Sequence, residues 1–282
     1  MTDPRDLVLS LEIASLPSIY RRITEVVEHP HSTAEDIAKV VSEDPGLTAR
    51  LLGLVNSGFF GLPQPVDTVS RAITVVGTEQ LCDLALATSV VRSFDGVPIE
   101  LVDMRSFWRH SLACGVAARL LALARQERNA ERFLVGGLLH DIGALVLYAK
   151  LPRKARRLLE RSRREGLALH EAERELLGFD HAELGWHLLR TWNLPPALQQ
   201  MVLLHHRPPA EQAYPVDAAT VHVADVLAHA LDLGTAGEPR VPPLAAGACD
   251  RLGLPPARLP GILDDILRNF AEAESLILGG ST

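Results

Sequence analysis

Gly136-Gly-Leu-Leu-His-Asp-Ile-Gly143 carries an apolar run into an imidazole, a carboxylate and then a glycine. Packing alone does not justify this stretch, because His and Asp are kept out of helix cores unless something pairs with them. A divalent metal ion would pair with both, since neutral imidazole and carboxylate suit the same cations. His140 and Asp141 close an apolar face that includes Leu134 and Leu138, which places the pair on a helix.

The chain around it has 282 residues, 47% of them hydrophobic, enough for one large core or two modest ones. Leu, Ala, Arg and Glu dominate, aromatics are scarce and alternating β-branched stretches are few, so helices are expected throughout. A formal charge of −7 and a pI near 5.9 make nucleic acid an unlikely partner. Cys82, Cys114 and Cys249 are scattered, which argues against a disulfide framework and against a thiolate zinc site. The polar start, Met1-Thr-Asp-Pro-Arg-Asp6, does not read as a signal peptide. No uninterrupted apolar run approaches the ~18 residues of a membrane span. The expectation is a soluble, cytoplasmic protein with no membrane partner.

Turn signals cut the chain into helix-sized pieces. Ser32-Thr-Ala-Glu35 has capping-box spacing and should start a helix, which Asp44-Pro45 stops. Further helices are expected at 47–56, 69–76 and 78–91. Beyond a boundary at Phe94-Asp-Gly-Val-Pro98 they are expected at 105–125, 130–148, 152–165, 170–177, 181–192, 196–206 and 217–231. Residues 234–260 are rich in Gly and Pro and read as loops and short turns, before a last helix at 261–278. The fold class is all-α, a helical bundle with an N-terminal helical subdomain. The division is 1–95, a helical core at 96–235, and a Pro/Gly-rich segment with a C-terminal helix at 236–282.

Other His and Asp residues fall inside apolar, helix-patterned segments. His110 lies in Phe107-Trp-Arg-His-Ser-Leu-Ala-Cys-Gly-Val-Ala117, a small-residue helix that can approach a neighbour closely. His181 opens a helix after Gly178-Phe-Asp180, and His205 with His206 closes Met201-Val-Leu-Leu204. Asp225 sits among Val221, Ala224 and Ala228 and needs a partner there. His, His-Asp, His, His-His and Asp on separate helices form the kind of set that converges in a bundle core to hold metal.

That order resembles the HD superfamily of metal-dependent phosphohydrolases. Leu16-Pro17, Asp44-Pro-Gly-Leu-Thr-Ala-Arg-Leu-Leu52, Asn56-Ser57, Leu139-His-Asp-Ile-Gly143, Asp180-His-Ala-Glu-Leu-Gly185 and Trp192-Asn-Leu-Pro195 together resemble the HDOD domain, the HD-related output domain of bacterial signalling proteins. The resemblance runs from about Leu11 to Leu231. It implies that His110, His140, Asp141 and Asp225 hold one divalent metal, and that His181 with His205, His206 or both holds a second. Asp141 would then bridge the two. Fe, Mn, Zn, Ni and Co suit such ligands about equally. On a continuing helix His206 points about 100° away from His205, so one of the two is expected to ligate, with His205 favoured. His222 and His229 share the face of Asp225 and are rival ligands or hydrogen-bonded supports.

The chain also departs from the related HD-GYP phosphodiesterases. Ala144 stands where they carry a phosphate-engaging Lys. Their His-His-Glu and Gly-Tyr-Pro signatures read His205-His206-Arg207 and Ala213-Tyr214-Pro215 here, and Ser106 replaces a third-metal carboxylate. Arg153-Lys-Ala-Arg-Arg157 with Arg161-Ser-Arg-Arg164 makes a basic helix, either a solvated face or a site for phosphates or an acidic partner. His170-Glu171 begins like a zinc-protease motif, but Arg174 occupies the place of the second His. The reading is a binding or output module with a retained metal site, a signalling-protein partner and a nucleotide as a further ligand. Its partner surface is expected on 44–56 and an exposed Phe59-Phe60-Gly-Leu-Pro63. The alternative is a phosphohydrolase on a nucleotide or cyclic dinucleotide, with cations of the basic helix replacing the lysine. A third idea is a sensor whose occupancy biases the packing of the two subdomains.

Overall fold

The structure, a computed structural model, describes residues 3–10, 16–91, 94, 101–209 and 214–279. Most of the expected boundary at 94–98 and Ala213 of the Ala-Tyr-Pro triplet lie outside the described residues. Among the described residues every regular element is a helix. The N-terminal helices are α1 (Pro4–Leu9), α2 (Ser18–Val27), α3 (Ala34–Ser42), α4 (Pro45–Asn56), α5 (Val69–Val76) and α6 (Thr78–Val90). The central bundle comprises α7 (Met104–Ala124), α8 (Glu131–Leu139), α9 (Ile142–Lys150), α10 (Pro152–Glu165), α11 (Leu169–Leu177), α12 (His181–Thr191), α13 (Pro196–Leu204) and α14 (Pro215–Ala230). Then come α15 (Ala248–Leu252) and α16 (Leu259–Ala273), which ends in a wider turn at Glu274–Leu278. α6 packs on α8 and α16 on α7, and one buried apolar cluster extends from Leu7 to Ile277.

Local chemistry moves some expected boundaries. The capping box of α3 is one residue later than expected: Thr33 Oγ1 accepts from the Asp36 amide, and Asp36 accepts from the Thr33 amide. Ser32 is unavailable because its hydroxyl donates to the Val26 carbonyl and closes the α2–α3 turn. The single helix expected over 130–148 is two helices, broken at Asp141 (φ −96°, ψ 7°). The stretch Glu131–Lys150 has the length and apolarity of a membrane span, but 89% of its apolar window is buried inside the bundle.

The Phe59-Phe60 tip is tucked in, contrary to its expected exposure. Phe59 is buried, and the guanidinium of Arg119 lies 3.8 Å from its ring centroid and 5.0 Å from that of Phe60. Arg119 also pairs with Glu131 at 3.1 Å in the interior. The polar ends of 44–56 are likewise engaged internally. Asp44 caps α4, and the Asn56 amide exchanges two 2.7 Å hydrogen bonds with the Val66 backbone.

Two glycine crossings set the site. A Cβ on Gly137 would lie 2.6 Å from the Gly115 Cα, so α7 and α8 touch backbone to backbone. A Cβ on Gly143 would lie 2.0 Å from the His181 carbonyl oxygen and 2.4 Å from the Gly185 nitrogen, so α9 meets α12 in the same way. The first contact brings His110 to His140, and the second brings Asp141 to His181.

Candidate metal centre

Five segments of the chain deliver side chains to one buried point. His110 comes from α7, His140 and Asp141 from the α8–α9 break, His181 from the first turn of α12, His205 from the end of α13 and Asp225 from α14. The break at Asp141 turns both residues of the dipeptide toward the same interior. Asp180 starts α12 by accepting from the Glu183 amide at 2.9 Å, and is itself held by Arg174 at 2.6 Å. His181 is thereby fixed at the helix N-terminus. Arg174, which rules out the zinc-protease motif, serves this cap.

Asp141 faces two ways. Its Oδ2 lies 3.1 Å from His140 Nε2 and 3.7 Å from His110 Nε2. Its Oδ1 lies 3.1 Å from His181 Nε2 and 3.6 Å from His205 Nε2. Asp225 Oδ1 completes the first group, 3.1 Å from His110 Nε2 and 3.5 Å from His140 Nε2. His206 joins the second, its Nε2 2.8 Å from that of His181. Ligand atoms of His110, His140 and Asp225 lie within 4.8 Å of one another, as do those of His181, His205 and His206. The expectation that His206 turns away from His205 is corrected: α13 ends at Leu204, so the two imidazoles are not held at helical spacing.

The outer hydrogen bonds orient these rings. His140 Nδ1 lies 2.6 Å from the Gly137 carbonyl and His205 Nδ1 2.7 Å from the Val202 carbonyl. A carbonyl only accepts, so each Nδ1 carries a proton, and Nε2 is the atom left to meet a metal. Glu173 does the same for His181, accepting from Nδ1 at 2.7 Å and from the His181 amide at 2.8 Å. His222 donates from Nδ1 to the His205 carbonyl (2.6 Å) and accepts at Nε2 from the Ala245 amide (2.8 Å). Both its nitrogens are engaged, so His222 supports and does not ligate. His229 Nδ1 lies 3.0 Å from Asp225 Oδ1 and orients that carboxylate.

The centre is short of partners. Nε2 of His110, His140, His205 and His229 and Oδ1 of Asp225 are buried without a hydrogen bond of good geometry. Such atoms cost about 1–3 kcal/mol each, and a cation among them would engage lone pairs that now face one another. On that chemistry the donor set fits divalent metal. Burial pushes the Asp141 carboxyl up, but His140, His181 and His205 more than offset it and hold it well below the usual carboxylate range. Burial works against the charged forms of His140 and His181, yet facing carboxylates lift both well above the usual imidazole value: chiefly Asp141 for His140, and Glu173 with Asp141 for His181. Burial keeps His110 and His206 below it.

The cleft over the centre is lined by Asp141, Ala144, His170, His206, Asp225 and Glu238, among others, and among the described residues no Lys or Arg lines it. The replacement of the missing lysine by the basic helix is not realised. α10 turns Ala155, Leu158, Leu159 and Ser162 inward and its cations to solvent. A strap over 231–247 closes the cleft. Thr235 is held by Ser106 Oγ (3.1 Å), Ala236 by the Tyr148 hydroxyl (2.6 Å), and Glu238 by the Leu169 amide (2.7 Å). The remaining cavity is about 20 Å³, where one water needs roughly 10–15 Å³. His170 and Glu173 were missed from sequence. Only the burial of charged residues along the α11 face could have signalled Glu173.

The sequence profile of the HDOD domain matches residues 13–208. An uncharacterized protein of Treponema pallidum (strain Nichols) is 29% identical over 224 residues, 78% of this chain; the chain spans 43% of that relative's length. The crystal structure of an HDOD domain protein of unknown function from Geobacter sulfurreducens superimposes with a TM-score of 0.78 at 22% identity, covering 97% of this chain and 98% of that one. A candidate phosphohydrolase from Shewanella amazonensis SB2B gives 0.73 at 25% identity, with 96% and 97% covered.

Proposed function

This chain belongs to the HDOD domain family, and from that premise we propose that it is a binding and output module of a signalling system, built around a centre that holds one or two divalent transition metal ions. One observation carries the metal reading: the two oxygens of Asp141 address separate imidazole groups. His110, His140, Asp141 and Asp225 would hold one ion, and Asp141, His181, His205 and His206 a second. The small cavity and the lack of a lining cation favour a held metal over a processed phosphate ester.

The second reading, a phosphohydrolase on a nucleotide or cyclic dinucleotide, draws on the same two-faced carboxylate. Metal ions held by His110, His140, Asp141, His181, His205 and Asp225 would supply Lewis-acid chemistry toward a phosphate ester. In either reading the residues of the chain orient the donors through carbonyls and Glu173, while the strap leaves room for about one water over the centre.

The test is metal content after purification without chelator, beside His140→Ala and Asp141→Ala. About two equivalents of a transition metal, lost in both variants, is the expected result for the bridged centre. One equivalent would confine ligation to the first group. No metal after reconstitution would refute the reading. Turnover of phosphodiesters that needs added Mn or Fe and disappears in Asp141→Ala would establish the second reading.

A further inference from the structure

A dense run of exposed cations lies beside exposed apolar side chains where α10 meets the strap, remote in sequence from the buried Phe59 tip. α10, 14 residues long, carries Arg153, Lys154, Arg156, Arg157, Arg161, Arg163 and Arg164 against only Glu160 and Glu165, in a chain whose formal charge is −7. Arg161 pairs with Glu165 and Glu175, and Arg164 with Glu165. Arg153, Lys154, Arg157 and Arg163 are exposed, with no carboxylate at ion-pair distance among the described residues.

The strap runs alongside this helix. A Cβ on Gly237 would lie 2.7 Å from Leu159 Cδ2, and one on Gly166, the left-handed cap of α10, 2.8 Å from the Arg240 guanidinium. Arg240 is exposed, and Val241 and Leu244 after it are 51% and 49% exposed. Arginines beside accessible apolar side chains are what protein interfaces favour.

The chemistry selects the partner. The patch is one helix long and is bounded by Glu160, Glu165, Glu171 and Glu175, so a long polyanion passing over it would meet like charge. Val241 and Leu244 offer a phosphodiester backbone nothing to bind. The apolar face of α10 is already buried, which leaves it nothing to insert into a bilayer. We propose that α10, Arg240 and the exposed tip of the strap form the docking surface for an acidic, apolar-bearing segment of a partner protein. This rests on the output-module reading and names its surface.

The test uses the full chain and a fluorescein-labelled amphipathic peptide of Glu and Leu, as long as α10, in an anisotropy titration at low salt. Oligo(dT) and anionic phosphatidylglycerol vesicles are titrated in parallel. Saturable peptide binding is expected, weakened about tenfold or more by Arg153→Glu/Arg157→Glu/Arg163→Glu and changed less than about twofold by Arg71→Glu/Arg128→Glu. Val241→Ser should weaken it without altering the salt dependence. Thermal melts confirm that each variant is folded. Tighter binding to oligo(dT) or vesicles, equal loss in the control double variant, or no saturable peptide binding would each overturn the proposal. Metal content is measured on the same samples, so a protein without metal that still binds the peptide fails the metal reading alone.

Discussion

Gly143→Ala tests the geometry of the centre through a residue that touches no metal. The added Cβ would lie 2.0 Å from the His181 carbonyl oxygen and 2.4 Å from the Gly185 nitrogen. Real Cβ atoms essentially never come nearer than 3.0 Å to such neighbours, so α9 and α12 must part by about 1 Å. Both contacts are backbone, and no flexible side chain can yield instead. Overpacking of this kind costs roughly 1–3 kcal/mol, which lowers Tm by about 2–4 °C per kcal/mol in a chain of a few hundred residues. The effect on the site should be larger than the effect on the fold. Metal sites tolerate about ±0.2 Å in ligand distance, and the displaced helix carries His181, 3.1 Å from Asp141. Of the first group, His110, His140 and Asp225 belong to α7, the end of α8 and α14 and do not cross this contact; only the shared Asp141, at the start of α9, borders it. Metal analysis of folded Gly143→Ala should therefore show one of two equivalents lost, while Gly261→Ala, whose Cβ meets nothing within 4 Å, should retain both. Two equivalents at unchanged affinity in folded Gly143→Ala would refute the argument.

Glu173→Gln keeps the size of the side chain but weakens the acceptor for His181 Nδ1, so metal affinity of the second group should fall about 10–100-fold in a competition titration with the fold intact. Asp83 gives a pH signature at the junction of α6 and α8: burial pushes its carboxyl from 3.8 up to about 7, despite the hydrogen bond from Asn129. The folded chain then binds a proton that the unfolded chain has released, so this contribution is greatest at low pH and is lost as pH rises from 3.8 to about 7. The ionised form costs on the order of 4 kcal/mol at pH 8. Asp83→Asn should thus raise stability at pH 8 and flatten the slope between pH 4 and 7 in urea melts; an unchanged slope would refute the assignment.

The elements most legible in the sequence were those whose cause is local. The helices expected from 69, 105 and 181 start within one residue of those positions, behind side-chain caps from Thr68, Asp103 and Asp180. The convergence of His110, His140, Asp141, His181, His205 and Asp225 was legible because His and Asp inside apolar faces have no packing reason to be there. What was not legible depends on contacts between distant segments. The break at Asp141 accompanies the crossing with α12, and the burial of Phe59 depends on Arg119 reaching across from α7. Glu173 approaches His181 only because α11 and α12 fold back on each other. The convergence of His205 and His206 turns on whether α13 ends at 204 or 206, within the uncertainty of any helix boundary.

The charges at the centre explain why holding a metal and recognising a phosphate separate in this chain. Asp141, Asp225 and Glu173 are buried together, and without a cation their charge draws protons onto His140, His181 and His229. A divalent ion would displace such protons, so metal binding and protonation compete for the same lone pairs. An incoming phosphate faces a different balance. It meets Asp141, Asp225 and Glu238 with no arginine or lysine in the lining, and its affinity would rest on the metal charge alone. Arginines abound one helix away, on α10, but they face solvent rather than the cleft. On this reading the side chains that would hold a cation lie inside the protein, while the cations that would meet a negatively charged partner lie on its surface.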